Sequence, residues 1–161
     1  MSTTQPAPTT GRFTAQDTMV LERRYAASVS DVFAAWANRS AKLVWFAGSG
    51  PDDAPAYALD FRVGGHETFR GGAPGSGEVY TYDAEYQDIV PDARIVYSYY
   101  MLRNDTRISV SLTCVEFEHD GDGTRLVLTE HGIYLDGHDK PEYRTQGIGE
   151  QLDALVRLLE Q

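Results

Sequence analysis

Between residues 57 and 131 apolar and polar positions alternate in runs with a period of two, the signature of half-buried strands. In residues 57–63, Tyr57, Leu59, Phe61 and Val63 alternate with Ala58, Asp60 and Arg62. Gly64-Gly65 signals a hairpin, and residues 66–70 return with Glu67 and Phe69 on one face. After a GGAPGSG turn, residues 78–89 place Tyr80, Tyr82, Ala84 and Tyr86 together. Pro91-Asp92 turns the chain into residues 94–102, apolar or aromatic on both faces, so that the inward face stays open. In residues 106–118, Ile108, Val110, Leu112 and Cys114 alternate with Ser109, Ser111 and Thr113. The phase then slips to Val115 and Phe117, which predicts a β-bulge near Cys114. Residues 125–131 form the last strand after a turn at 120–123.

The flanks carry a different period. Residues 19–26 read as a first strand of unclear inward face. Ser28, with Asp31 three residues on, caps a helix over 29–37 whose stripe is Val29, Val32, Phe33 and Trp36. Ser40 can cap a second short helix over 41–46, ending in Trp45-Phe46, and residues 48–55 are a polar loop. Residues 141–161 form the longest helix, with Ile148, Leu152, Leu155, Val156 and Leu159 on one stripe and Arg144 on the wet side. Pro141 suits its first turn, and Asp139 and Glu142 suit its positive end. Gly147 and Gly149 each cost a helix about 1 kcal/mol, so this half either has a close neighbour or breaks. Strands joined by short turns are antiparallel, and the order gives an α+β chain whose bent sheet wraps the final helix.

Length and composition narrow the picture. The 161 residues suffice for one domain, expected over 15–161 behind a flexible Thr/Pro/Gln-rich tail over 1–14. A net charge of −10 argues against nucleic acid and anionic membranes as partners, and no run is long and apolar enough to span a membrane. The single cysteine, Cys114, permits no internal disulfide and reads as a packing residue, which fits a reducing cytoplasm. No signal-peptide pattern opens the chain. Exposed strand edges permit a homodimer.

The segments FAAWANRSAKLVWF (33–46), DFRVGGHETFRG (60–71), GEVYTYDAEYQDIVPDARIVYSY (77–99), GTRLVLTEHGIYLDG (123–137) and YRTQGIGEQLDALVRLLE (143–160) carry a family resemblance. Their order resembles the helix-grip fold of START-like domains, the SRPBCC superfamily. Within it the chain is similar to bacterial relatives of the C-terminal domain of the heat-shock protein 90 ATPase activator. The resemblance implies a ligand cavity between sheet and long helix. On this chain the implied lining is Trp36, Trp45, Phe46, Tyr57, Phe61, Phe69, Tyr82, Tyr86 and Ile148, with the two helix glycines widening the space.

Candidate chemistry is sparse. His66, His119, His131 and His138 include no pair at zinc-motif spacing, so no metal and no cofactor is expected. No nucleophile elbow, phosphate loop or dinucleotide fingerprint is present. Seven tyrosines crowd residues 57–100, each combining an apolar ring with a hydroxyl, as a cavity for an aromatic molecule would use. Glu67 and Glu130 are the candidate acid–base residues, because each shares a strand face with apolar neighbours. Arg144 neutralising Glu130 is the structural alternative. The first reading is a binding domain for a small apolar or aromatic molecule, without a recognisable catalytic constellation. The alternatives are a polyketide cyclase- or dehydratase-like enzyme and a chaperone-associated protein, the last resting on the family name while the sequence shows no separate client-binding arm.

Overall fold

Hydrogen-bonded alternation builds most of the molecule. The computed structural model describes residues 11–48, 56–72 and 75–160. Its strands are β1 (Thr14–Tyr25), β2 (Tyr57–Leu59), β3 (His66–Gly71), β4 (Tyr80–Val90), β5 (Arg94–Arg103), β6 (Thr106–Asp120) and β7 (Gly123–Leu135). They form one antiparallel sheet in the order β1-β7-β6-β5-β4-β3-β2. Short turns explain every neighbour except β1, which returns across the molecule to pair with β7 from Thr14↔Leu135 to Tyr25↔Thr124. The curved sheet wraps a C-terminal helix, and the α+β helix-grip architecture expected from the sequence is the one observed.

The helices are α1 (Val29–Ala37), α2 (Arg39–Trp45) and α3 (Pro141–Leu159). Ser28 Oγ accepts from Asp31 N at 3.2 Å to cap α1. Asn38, rather than Ser40, caps α2, its Oδ1 accepting from Ala41 N at 3.0 Å. Pro141 occupies the first turn of α3, where a missing N–H is harmless. The C-terminal half of α3 buries Leu152 and Leu155 against a core that includes Val32, Ala84, Ile95, Val115 and Leu126. Arg23 on β1 ties the helix down, its Nε donating to Asp153 at 2.8 Å.

Several boundaries differ from the sequence reading for local reasons. β1 starts at Thr14 rather than residue 19, since β7 runs on to Leu135 and supplies partners throughout. Residues 1–10 of the expected tail and most of the 48–55 loop lie outside the described residues. β2 ends at Leu59, because the chain turns at once: Asp60 N donates to His66 O at 2.9 Å. The bulge falls at Ile108, where Met101↔Ser109 gives way to Leu102↔Arg107, and not near Cys114. Ile108 and Ser109 are therefore both buried, and beyond them the phase is inverted: Ser109, Ser111 and Thr113 point inward while Val110 and Leu112 are exposed. Cys114 shares the outer face, half-buried. In β5 the inward residues are Ile95, Tyr97 and Tyr99.

Candidate ligand cavity

Where the first half of α3 stands off the sheet, a cavity of about 300 Å³ remains. Helices α1 and α2 supply Trp36, Trp45 and the following Phe46; β3 to β5 supply Phe69, Tyr80, Tyr82, Tyr97, Tyr99 and Met101; β6 and β7 supply Ile108, Leu128 and Glu130. The helix side consists of Tyr143, Arg144, Gly147, Ile148, Gln151 and Leu152. Rings lock one another in place: Trp36 and Trp45 are 4.7 Å apart edge to face, Phe46 and Tyr82 5.1 Å, Tyr82 and Tyr99 4.8 Å. A side chain at Gly147 would meet nothing within 4 Å, so this glycine leaves the cavity rim open. Gly149 has a different reason: its Cβ would lie 3.3 Å from Arg23 Nη2. The helix runs through both glycines unbroken.

One end of the cavity is polar. Arg144, assigned to the wet side by its spacing, is instead 8% exposed. Its Nη1 donates to Tyr99 OH at 2.9 Å and Ser111 Oγ at 3.4 Å; its Nη2 donates to Ser109 Oγ at 2.8 Å and Asp139 Oδ2 at 2.8 Å. Tyr99 in turn donates to Glu130 Oε2 at 2.8 Å, and Thr113 donates to Glu130 Oε1 at 2.6 Å. Arg144 therefore reaches Glu130 through the Tyr99 hydroxyl. Burial pushes the Glu130 carboxyl above the usual carboxylate range, opposed by its bonds to Thr113 and Tyr99 and by the Arg144 charge.

A second polar cluster lies behind the aromatic wall. Lys42 Nζ donates to Glu67 Oε1 at 2.7 Å and to Tyr86 OH at 3.3 Å, and Tyr57 OH donates to Glu67 Oε2 at 2.5 Å. Both charged side chains are 1% exposed. Burial pulls Lys42 below the ordinary lysine range, while Glu67 pulls it back. The ammonium lies 5.0 Å from the Trp36 ring centre, 4.9 Å from Phe46 and 5.8 Å from Trp45.

Trp36, Trp45, Phe46, Phe69, Tyr82 and Ile148 thus face the cavity. Tyr57, Tyr86 and Glu67 do not, because they are drawn into the Lys42 cluster. Phe61 is also off the wall: past the end of β2 it packs between Phe33 and Tyr86. Sequence reading missed Lys42, Ser109, Ser111 and Tyr99; Arg144 is the partner that the sequence offers to neutralise Glu130, and it reaches that carboxyl through Tyr99. The serines were legible only with the bulge placed correctly, and Lys42 carries no local signal. Trp36 Nε1 and Tyr134 OH are buried without a hydrogen-bond partner among the described residues. No group of metal-ligating side chains occurs among the described residues, and His131 points outward to Thr18 Oγ1 at 2.9 Å. No helix of the described residues is long and apolar enough to cross a membrane.

Known structures share this fold. An uncharacterized protein from Rhizobium leguminosarum superposes with a TM-score of 0.87 at 45% identity, over 92% of this chain and 97% of that one. The Mll3558 protein from Rhizobium loti gives 0.84 at 40% identity, over 90% and 98%. The CV1439 protein from Chromobacterium violaceum shares the fold, with a TM-score of 0.73 at 24% identity over 89% and 97%. No curated protein matches. The model of one family covers residues 26–160, which hold all three helices and every strand but β1, and the chain belongs to that family, the activator of Hsp90 ATPase homolog 1-like proteins.

Proposed function

We propose that this domain binds a small apolar molecule, aromatic in character, between the sheet and α3. The observation that carries the reading is the aromatic-walled space of about 300 Å³ beneath a helix that carries Gly147 at its rim. A chain optimised only for packing would fill such a gap, since interiors are otherwise as dense as organic crystals. Affinity comes from apolar area, and the Tyr99–Glu130–Arg144 end fixes orientation.

Native mass spectrometry of the freshly purified protein, set beside the denatured sample, tests this. An extra mass lost on denaturation supports the reading and gives the ligand class. A half-buried wall residue separates binding from folding: Phe69→Ala is expected to weaken binding of that ligand more than it lowers the unfolding midpoint. Equal losses would make Phe69 a core residue and count against the cavity's role.

A cyclase- or dehydratase-like reaction is the second reading, favoured by one feature, the burial-raised carboxyl of Glu130 on the cavity wall. Glu67 has no part in it, being held by Lys42 behind the wall.

A further inference from the structure

Resting on that binding role, we infer that the cavity selects an aromatic amine, with its ammonium placed against Glu130, and rejects aromatic carboxylates. The charged side chains on the cavity wall are Glu130, Asp139 and Arg144. At first sight Arg144 offers an anion site. However, its two terminal nitrogens carry four N–H groups, and Tyr99, Ser111, Ser109 and Asp139 accept four bonds from them. An incoming carboxylate aimed at the terminal nitrogens would have to displace one of these acceptors, and at any edge of the guanidinium it would stand near the Glu130 and Asp139 carboxyl groups.

Glu130 is placed the other way. Each of its oxygens accepts one bond from the protein, from Thr113 and from Tyr99. An ionised carboxylate has about four acceptor sites, so acceptor capacity remains on the cavity side. Glu130 is only 1% exposed, and water does little to stabilise its charge. An ammonium supplies the missing donors and a countercharge in direct contact, where Arg144 acts only through Tyr99.

The aromatic wall favours the same ligand. Trp36, Trp45 and Phe46 already accept the Lys42 ammonium from behind. Because Glu67 matches that ammonium at 2.7 Å, the pair places no net positive charge behind the cavity. Ring quadrupoles are negative on both faces, so rings that tolerate one cation also attract another from the cavity side. The net charge of −10 adds a long-range pull on cations.

Three naphthalenes of one shape test the inference by isothermal titration calorimetry at neutral pH: 1-naphthylmethylamine, 1-methylnaphthalene and 1-naphthoate. The amine is expected to bind about tenfold or more tightly than the carboxylate, the size of one charge-assisted hydrogen bond. Glu130→Gln should remove the preference for the amine while 1-methylnaphthalene binds as before, which also shows that the variant's cavity is intact. Asp139→Ala, by freeing a guanidinium N–H of Arg144, should strengthen 1-naphthoate binding. Tighter binding of 1-naphthoate by the wild type, equal binding of the two, or an amine preference that survives Glu130→Gln overturns the inference and leaves the aromatic cavity standing. If none of the three binds, the binding role itself fails, and the inference with it.

Discussion

Lys42→Met is the most informative single change to the scaffold. The methionine keeps an unbranched side chain among Trp36, Trp45, Phe46 and Tyr97 but removes the ammonium. Glu67 then remains buried with only the Tyr57 and Tyr86 hydroxyls as donors. Breaking a buried pair from one side costs about 3–5 kcal/mol, because a desolvated charge is left without its partner. At about 2–4 °C per kcal/mol for a domain of this size, the midpoint should fall by roughly 6–20 °C. In Lys42→Met/Glu67→Gln the stranded charge is gone, and the amide still accepts from Tyr57. The deficit should shrink to one or two ordinary hydrogen bonds, about 1–2 kcal/mol. Urea unfolding at neutral pH measures both variants directly. A loss below about 1 kcal/mol for the single variant, the range of an exposed ion pair, would refute the reasoning. So would a double variant as unstable as the single one.

Two further outcomes follow from the same geometry. Gly147→Ala should stabilise the protein by about 1 kcal/mol in thermal unfolding, since the new methyl meets nothing within 4 Å, whereas Gly149→Ala should gain less or lose, because its methyl presses on Arg23 at 3.3 Å; equal gains would contradict the contact. For Glu130, the folded-state pKa lies above the ordinary 4.5, so between the two values the native state binds more protons than the unfolded chain and stability falls as pH rises through that window. Unfolding midpoints of wild type minus Glu130→Gln across the acid range should show that decline, and a difference independent of pH would argue that Glu130 titrates normally.

The elements that periodicity controls were legible in the sequence. Helix α1 falls where Ser28 and the Val29–Trp36 stripe put it, and β4 turns Tyr82, Ala84 and Tyr86 inward as their alternation requires. What periodicity could not deliver was phase across an irregularity. Val110, Leu112 and Cys114 look like the buried face of β6 until the bulge at Ile108 shifts the register and turns Ser109, Ser111 and Thr113 inward. Arg144 was misplaced for a related reason: three-and-four spacing reports which face of a helix is apolar, and a cation on the inner edge is invisible without knowing what lies opposite. The long-range pairings of Lys42 with Glu67 and of Arg144 with Ser109 depend on the fold having closed, so no local pattern contains them.

That inverted strand bears on what the domain is for. With Val110 and Leu112 exposed and three hydroxyl residues buried, β6 is oriented against the simple gain from burying apolar area. Buried hydroxyls contribute little net stability even when bonded, and each costs about 1–3 kcal/mol if left unpaired. Here the hydroxyls hold something else: Ser109 and Ser111 accept from Arg144, and Thr113 donates to Glu130. A core built for stability alone would take valine or alanine at these positions and would have no use for the two charges. The hydroxyl stripe makes sense as the support for a polar end of fixed geometry, set at the edge of an aromatic cavity. The same support explains why the charges do not collapse onto each other: with Arg144 held by Ser109 and Asp139, and Tyr99 interposed, the cavity-facing side of Glu130 keeps acceptor capacity for a ligand.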